Sequence, residues 1–182
     1  LSDKIVDVKP SGIRKFFDIV SEMPDAISLG VGEPDFDTPW HIRDEGIYSL
    51  EKGKTFYTSN AGLKELRCEI SNYIMRKQGI KYDPINEILV TVGGSEAIDV
   101  ALRCMVNPGD EVIVFAPFFP EYRVFIEGAG AKMTMIPADT EAFQINFAAF
   151  EAAINEKTKA VIVNSPNNPS GTLYSEDTVK KL

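Results

Sequence analysis

The chain has 182 residues, a net charge of −8 at pH 7 and 44% hydrophobic residues, a composition typical of a globular α/β protein with a sizeable core. Because no basic stripe is available to neutralise phosphates, we expect no nucleic-acid partner. No apolar run approaches the length of a membrane span, and the charged N-terminus lacks a signal-peptide core. Cys68, Cys104 and the single histidine, His41, give no metal site and no disulfide framework. We expect two reduced core thiols and a surface or packing histidine.

Residues 1–45 contain four prolines and are predicted to be irregular, apart from a helix over 13–20. A longer helix is predicted over 63–77, because its apolar residues recur at helical spacing and Gly79 follows as a stop.

Short apolar runs alternate with helical segments over the rest of the chain. The runs predict strands at 88–92, 111–115, 132–136 and 160–163, and helices are predicted at 96–106, 120–127 and 147–154. This alternation predicts an α/β fold with a mostly parallel, doubly wound sheet.

Residues 164–172, with the sequence Asn-Ser-Pro-Asn-Asn-Pro-Ser-Gly-Thr, follow the strand predicted at 160–163. Open α/β sheets bind ligands at the carboxyl edge of their strands. Each proline fixes its own φ and moves the preceding residue out of the helical region, so we expect Asn168 to be held rigidly with its amide free. A proline-rich loop without a ligand explains this segment alone equally well.

Gly93-Gly94-Ser95 stands between a predicted strand and a predicted helix. Two glycines let the backbone approach a ligand closely, and Ser95 can either cap the helix or offer its hydroxyl and amide to an anion. The free N–H groups and the dipole of the helix favour a phosphate there. Many α/β units turn in this way, and the segment is not a P-loop because no Gly-Lys-Ser/Thr follows.

Phe118 and Phe119 stand between prolines directly after the strand predicted at 111–115. An aromatic side chain at a sheet edge can stack on a flat ring, although either residue can equally fill the core beneath a loop. Because neighbouring side chains point apart in extended backbone, one ring can be core and the other a platform.

Together these motifs resemble the fold-type I pyridoxal-phosphate enzymes, specifically the class I/II aminotransferases. The resemblance adds residues 28–39 and 57–62 and covers nearly the whole chain, with the motifs in the family's order. The chain is most similar to the bacterial and archaeal branch of the family, which includes aspartate, aromatic and broad-specificity aminotransferases. The resemblance implies a cytoplasmic homodimer that uses pyridoxal 5'-phosphate to move an amino group from an amino acid to a 2-oxo acid.

The resemblance also implies roles for the cofactor-binding residues. Gly94 and Ser95 contact the cofactor phosphate, and Gly93 opens the turn. Phe119 stacks on the pyridine ring, in a place where relatives often carry Trp or Tyr. Asn168 hydrogen-bonds the phenolic oxygen. These groups orient the cofactor and tune its electronics, because the organic chemistry belongs to the cofactor itself.

Substrate binding and subunit assembly are implied in the same way. Gly32 and Asn168 lie near the substrate carboxylate, and Tyr57 reaches the cofactor phosphate of the partner subunit. Residues 1–45 correspond to an N-terminal arm and part of a small domain, and residues 46–182 to the first part of the cofactor-binding large domain.

Three groups of the family follow the Asn-Pro-x-Gly loop: the Schiff-base lysine, the aspartate on the pyridine nitrogen and the substrate-binding arginine. None of them maps onto this chain, and Lys157, Lys159, Lys180 and Lys181 do not match the lysine motif and are expected at the surface. We therefore expect the N-terminal part of a longer enzyme, with no catalytic residue, weak noncovalent cofactor binding and no activity of its own.

Four alternatives remain open from the sequence. Other fold-type I enzymes, such as carbon–sulfur lyases and decarboxylases, share all these motifs. A regulator with an aminotransferase-like domain should carry a basic winged-helix segment upstream, and a structural or interaction remnant would simply lack the lysine. A nicotinamide-linked oxidoreductase is disfavoured, because residues 30–35 lack the third glycine of a dinucleotide-binding motif and Pro34 interrupts the helix that should follow.

Overall fold

The structure is a computed structural model that describes residues 6, 19–20, 22–23, 25–27, 32, 34–139 and 142–182. The chain divides into two compact units, Leu1–Tyr57 and Thr58–Leu182. Most of the helix predicted at 13–20 lies outside the described residues, and of that stretch only Ile19 and Val20 are described, both as helix.

The described part of the first unit contains helix α1, Trp40–Glu51. Helix α1 runs across position 45 and buries none of its residues, and its apolar side chains, among them Trp40 and Leu50, are exposed. His41 is exposed and meets Trp40 edge to face, with 5.8 Å between the ring centroids, which agrees with the prediction of a surface or packing histidine.

The second unit begins with helix α2, Lys64–Gln78. Gly79 ends it in the left-handed conformation, with φ 71°, and its N–H donates to Met75 O at 3.1 Å, so the predicted helix and its stop are confirmed. Arg67 is buried on this helix, and its Nη1 donates to the carbonyls of Pro84 and Ile85 at 2.9 and 3.1 Å. The guanidinium thereby fixes the connection that leads from α2 towards the candidate site.

The remaining elements alternate between helices and strands. In chain order they are α3, Gly93–Met105; β1, Glu111–Phe115; α4, Glu121–Gly128; β2, Lys132–Ile136; α5, Phe147–Ala153; β3, Thr158–Ile162; and α6, Glu176–Lys181. The strands form a parallel sheet in the order β2-β1-β3, in which Val114 pairs with Met135 on one side and Ile162 on the other. Strands 111–115 and 132–136 are confirmed at their predicted bounds.

The central strand β1 is covered on both faces, because its successive side chains point to opposite sides of the sheet. Val112 and Val114 pack with Leu102 of α3 and Ile126 of α4 in one core cluster. Ile113 and Phe115 of β1 point to the other face, where they pack against α5 and the loop before it. This second cluster is formed by Ile113, Phe115, Ile136, Ile145 and Phe150. Helices on both faces of a parallel sheet confirm the predicted doubly wound α/β fold.

The prediction of a strand at 88–92 is wrong, because these residues form no strand in the structure. Val90 N donates to Ala61 O at 3.1 Å, but this single bond does not extend into a ladder. The described sheet contains only β2, β1 and β3, and residues 88–92 pair with none of these strands. The pattern correctly marked an apolar segment, but a strand also requires a hydrogen-bonded neighbour.

The two cysteines are free thiols, and only Cys68 is partly buried. Cys104 is exposed, so its prediction as a core residue is wrong. It lies on α3 two residues after Leu102, which faces the core, and two positions along a helix turn a side chain to the other side.

Candidate functional site

The candidate site lies at the carboxyl edge of the sheet. Strands β1 and β3 are parallel neighbours, so the loops that follow Phe115 and Ile162 leave the same edge. Helices α3 and α4 pack against the face of β1 that carries Val112 and Val114. Because α3 precedes β1 in the chain and α4 follows it, the amino ends of both helices lie at this edge. All of the cofactor-binding residues predicted within the second unit belong to these loops and helix ends.

The Gly-Gly-Ser segment forms the first turn of α3. It was predicted as a loop before the helix, and Ser95 was considered as its cap; instead the helix begins at Gly93, and Val92 occupies the cap position without a side-chain hydrogen bond. Gly93 has φ +83°, a conformation that favours glycine. The Val92 N–H donates to the carboxylate of Glu96, so this carboxylate binds the cap residue and leaves the N–H groups of the first turn uncapped.

Two backbone donors point out of this helix end. The N–H groups of Gly94 and Ser95 have no acceptor within the helix, as expected for a first turn, and they donate to no other described residue. A Cβ placed on Gly94 would meet no atom within 4 Å, so the space beside the backbone is open. Free donors, open space and the positive end of the helix dipole are the features that a phosphate group requires.

A hydrogen bond joins the amino ends of α3 and α4. Ser95 Oγ donates to Glu121 Oε2 at 2.9 Å, and Glu121 is the first residue of α4. This bond brings Gly94 and Ser95 next to the loop that carries Phe119. Sequence reasoning did not identify Glu121; the one available signal was an acidic residue at the start of a helix, which is common and has no ligand meaning by itself.

Phe118 and Phe119 are both partly buried and both pack against the core cluster formed by α3, α4 and β1. Phe119 also meets Tyr122 edge to face, with 5.7 Å between the ring centroids. Tyr122 is buried, and burial raises the pKa of its phenol. These contacts fix the orientation of the Phe119 ring at the sheet edge.

The loop after β3 is organised around Asn167, which is 8% exposed. Its Oδ1 accepts from Ser170 Oγ at 2.8 Å and from Ser170 N at 3.2 Å, and its backbone bonds Gly171 and Thr172. Sequence reasoning missed this residue, although an Asn before a turn of prolines and glycine is the usual signal for such a side-chain-to-backbone turn.

Asn168 is exposed at the tip of the same loop. Its backbone N–H donates to Asn164 Oδ1 at 2.8 Å, which anchors it to the end of β3. Its side-chain amide bonds none of the described residues, so both the donor and the acceptor are available to a ligand.

Gly32 and Tyr57 belong to the first unit. Gly32 is exposed, and a Cβ there would meet no atom within 4 Å. Tyr57 has a relative exposure of 106%, so its side chain is available to another molecule.

Several other chemistries find no support among the described residues. No group of three His, Cys, Asp or Glu side chains that could hold a metal ion occurs among them. In the same part of the chain, no helix has both the length and the hydropathy needed to cross a membrane. The four lysines expected at the surface, Lys157, Lys159, Lys180 and Lys181, are exposed, which confirms that prediction.

Comparison with known proteins identifies the family. Residues 24–182 match the family model of "Aminotransferase class I and II". The chain belongs to this family. It is 48% identical over its whole length to YugH of Bacillus subtilis, whose name describes it as an aminotransferase, and 40% identical to an aspartate aminotransferase of Pyrococcus abyssi. The chain spans about half the length of these curated relatives, 47% in each case.

The folds of solved aminotransferases agree with this assignment. The aspartate aminotransferase of Thermus thermophilus with maleate superposes with a TM-score of 0.89 at 34% identity, over 99% of this chain and 48% of that one. The likeness supports the doubly wound fold and the fold-type I class, whose class I and II aminotransferases depend on pyridoxal phosphate.

Proposed function

We propose that the protein of which this chain is a part is a pyridoxal-phosphate-dependent aminotransferase that moves an amino group from an amino acid to a 2-oxo acid. The observation that carries the proposal is the first turn of α3, where the N–H groups of Gly94 and Ser95 are free and the adjacent space is open. A group that combines a phosphate with an aromatic ring and a phenolic oxygen fits this edge, because the donors, an aromatic side chain and a free amide are presented there.

Each residue has a distinct task in this proposal. The Gly94 and Ser95 amides would hold the phosphate at the end of the helix dipole. Phe119 would limit the tilt of the ring, since its own ring is fixed by Tyr122. The Asn168 amide would donate to the phenolic oxygen, and the hydrogen bonds of Asn164 and Asn167 hold that loop in place. When bound, pyridoxal phosphate supplies the electron sink that transamination needs.

We also propose the assembly that the resemblance implies: a cytoplasmic homodimer in which Tyr57 reaches the phosphate of the partner subunit. Its full exposure supports this, because a large aromatic side chain that is fully exposed is suited to an interface. Residues 1–45 would form an arm and part of a small domain, and residues 46–182 the first part of the large domain. Gly32 would lie beside the substrate carboxylate.

Alternative reactions of fold-type I enzymes receive no specific support. YugH and the aspartate aminotransferases of Pyrococcus abyssi and Thermus thermophilus are all named for transamination. The names of the aspartate enzymes specify aspartate as the substrate of those proteins. For this protein we propose only the substrate classes, an amino acid and a 2-oxo acid.

The test is a titration of the chain with pyridoxal phosphate, followed by the backbone amide resonances. We expect Gly94 and Ser95 to shift, and pyridoxal, which lacks the phosphate, to shift them much less. Gly94→Pro removes one free donor at a first-turn position where proline is tolerated, so it should weaken binding. Glu65→Pro places proline at the same position of α2, its second residue, and is the matched control, which should bind like the wild type.

Two results would contradict the proposal. One is a titration in which the Gly94 and Ser95 amides do not respond while the ligand binds elsewhere. The other is equal binding of pyridoxal and pyridoxal phosphate, since the helix end would then contribute nothing.

A further inference from the structure

The Ser95–Glu121 hydrogen bond places a carboxylate at the proposed phosphate position. Ser95 Oγ has one proton, and it is donated to Glu121 Oε2 at 2.9 Å. In this arrangement Ser95 offers a phosphate only its backbone N–H. The negative charge of Glu121 lies within one hydrogen bond of the helix end that the phosphate would occupy.

Glu121 is held there by the ends of two helices. It is the first residue of α4, so its carboxylate lies in the first turn of its own helix, and Ser95 connects it to the first turn of α3. Negative charge is favoured at helix amino ends. A carboxylate in this place therefore already provides part of the negative charge that is favourable at these two helix ends.

The carboxylate of Glu121 has no cationic partner within salt-bridge distance among the described residues. Arg123 on the same helix lies 3.9 Å from Glu127, and Arg103 of α3 is bonded to Asp99. Glu96, the other acidic residue at this helix end, accepts from the Val92 N–H and adds to the negative charge.

We propose that Glu121 is an internal anion that competes with the cofactor phosphate for the amino end of α3. Its carboxylate accepts the hydrogen bond of Ser95 Oγ, and a bound phosphate would displace the carboxylate and accept that hydrogen bond in its place. Glu121 thus acts on the cofactor through Ser95 and through charge repulsion, and it is a positioning residue that lowers cofactor affinity. This inference rests on the proposed function, because it assumes that the phosphate binds at Gly94 and Ser95.

Glu121→Gln tests the charge directly. Glutamine keeps the size of the side chain and a carbonyl that can accept from Ser95, but it removes the negative charge. We expect the dissociation constants of pyridoxal phosphate and of inorganic phosphate to fall roughly tenfold, the effect of one nearby unit charge at a solvated site. The gain should shrink as salt is added, since salt screens exposed charges. Pyridoxal, which has no phosphate, should bind both proteins equally.

Two further variants separate the possible causes. Glu127→Gln removes one negative charge from the other end of the same helix and should change phosphate binding less than twofold. Glu121→Asp keeps the charge but shortens the side chain by one methylene, so its affinity should stay closer to the wild type than that of Glu121→Gln. Glu121→Ala removes the charge together with the acceptor, so it is the second charge-removing variant if the glutamine protein does not fold, and it should also bind phosphate more tightly than the wild type.

The readout is the shift of the Gly94 and Ser95 amides during titration with pyridoxal phosphate or inorganic phosphate. If these amides respond but Glu121→Gln binds no more tightly than the wild type, the competition is refuted while the proposed site stands. An equal gain from Glu127→Gln also refutes it, because net charge alone would then explain the effect. If the amides respond in neither protein, both the competition and the proposed phosphate site are wrong.

Discussion

Gly62 lies in a close contact that leaves no room for a side chain. Its φ is +93°, and a Cβ placed there would lie 2.6 Å from Val90 Cβ and 3.0 Å from Val90 Cγ2. Gly62→Ala would therefore strain the backbone and force Val90 away. Val90 N is bonded to Ala61 O, so this movement would disturb the segment that leads into α3.

The size of the effect follows from two separate costs. A residue with a side chain at positive φ costs about 1–2 kcal/mol, and overpacking of a close contact costs about 1–3 kcal/mol. We expect Gly62→Ala to lower the free energy of unfolding by about 2–5 kcal/mol. Gly109 provides the matched control, because its φ is +94° and a Cβ there would meet no atom within 4 Å. Gly109→Ala should therefore cost only the backbone part, about 1–2 kcal/mol.

Urea unfolding of the two variants measures the difference, provided that the slope with urea stays unchanged. Val90→Gly removes all three of the atoms that would contact the new Cβ, so a double-mutant cycle of Gly62→Ala with Val90→Gly should recover about 1–3 kcal/mol. Equal losses from Gly62→Ala and Gly109→Ala, or no coupling in the cycle, would refute the steric explanation.

Three further predictions concern polar side chains. Arg67→Met should lower the free energy of unfolding by about 2–4 kcal/mol, because two loop carbonyls lose a charged donor; Lys77→Met, at an exposed position on the same helix, should change it by less than about 0.5 kcal/mol in the same urea assay. Hydrogen bonds from Lys132, Thr134 and Asn155 hold the pKa of the Glu111 carboxyl below its ordinary value of 4.5. The stability that they contribute is present above pH 4.5 and is lost as the pH falls through the lower folded-state pKa, so Glu111→Gln should flatten the acid side of a plot of urea midpoint against pH, and an unchanged acid side would contradict this. Asn168→Ala should leave the urea midpoint unchanged, but in the complete enzyme it should weaken pyridoxal phosphate binding roughly 10- to 100-fold and move the absorbance titration of the bound cofactor. Asn167→Ala, which removes the hydrogen bonds that hold the loop, should instead lower the midpoint. A loss of stability with Asn168→Ala would contradict the role given to its amide.

The sequence by itself determined most of the architecture of the second unit. The strands at 111–115 and 132–136 were found at their bounds, because buried parallel strands appear as short apolar runs between turn residues. Gly79 marked the end of α2 because only a left-handed residue ends a helix in this way. The motif residues at 93–95 and 168 were placed at one sheet edge by the same local patterns.

Tertiary structure decided what depends on partners that are distant along the chain. Residues 88–92 are as apolar as a strand, but they pair with none of the described strands, and the bond from Val90 N to Ala61 O does not extend into a ladder. The bond between Ser95 and Glu121 spans 26 positions, and nothing in either local sequence indicates it. The burial of Arg67 likewise depends on carbonyls 17 and 18 positions away. Local patterns fix the backbone conformation, whereas the partner of a polar group or of a strand is fixed only when the packed elements bring the two together.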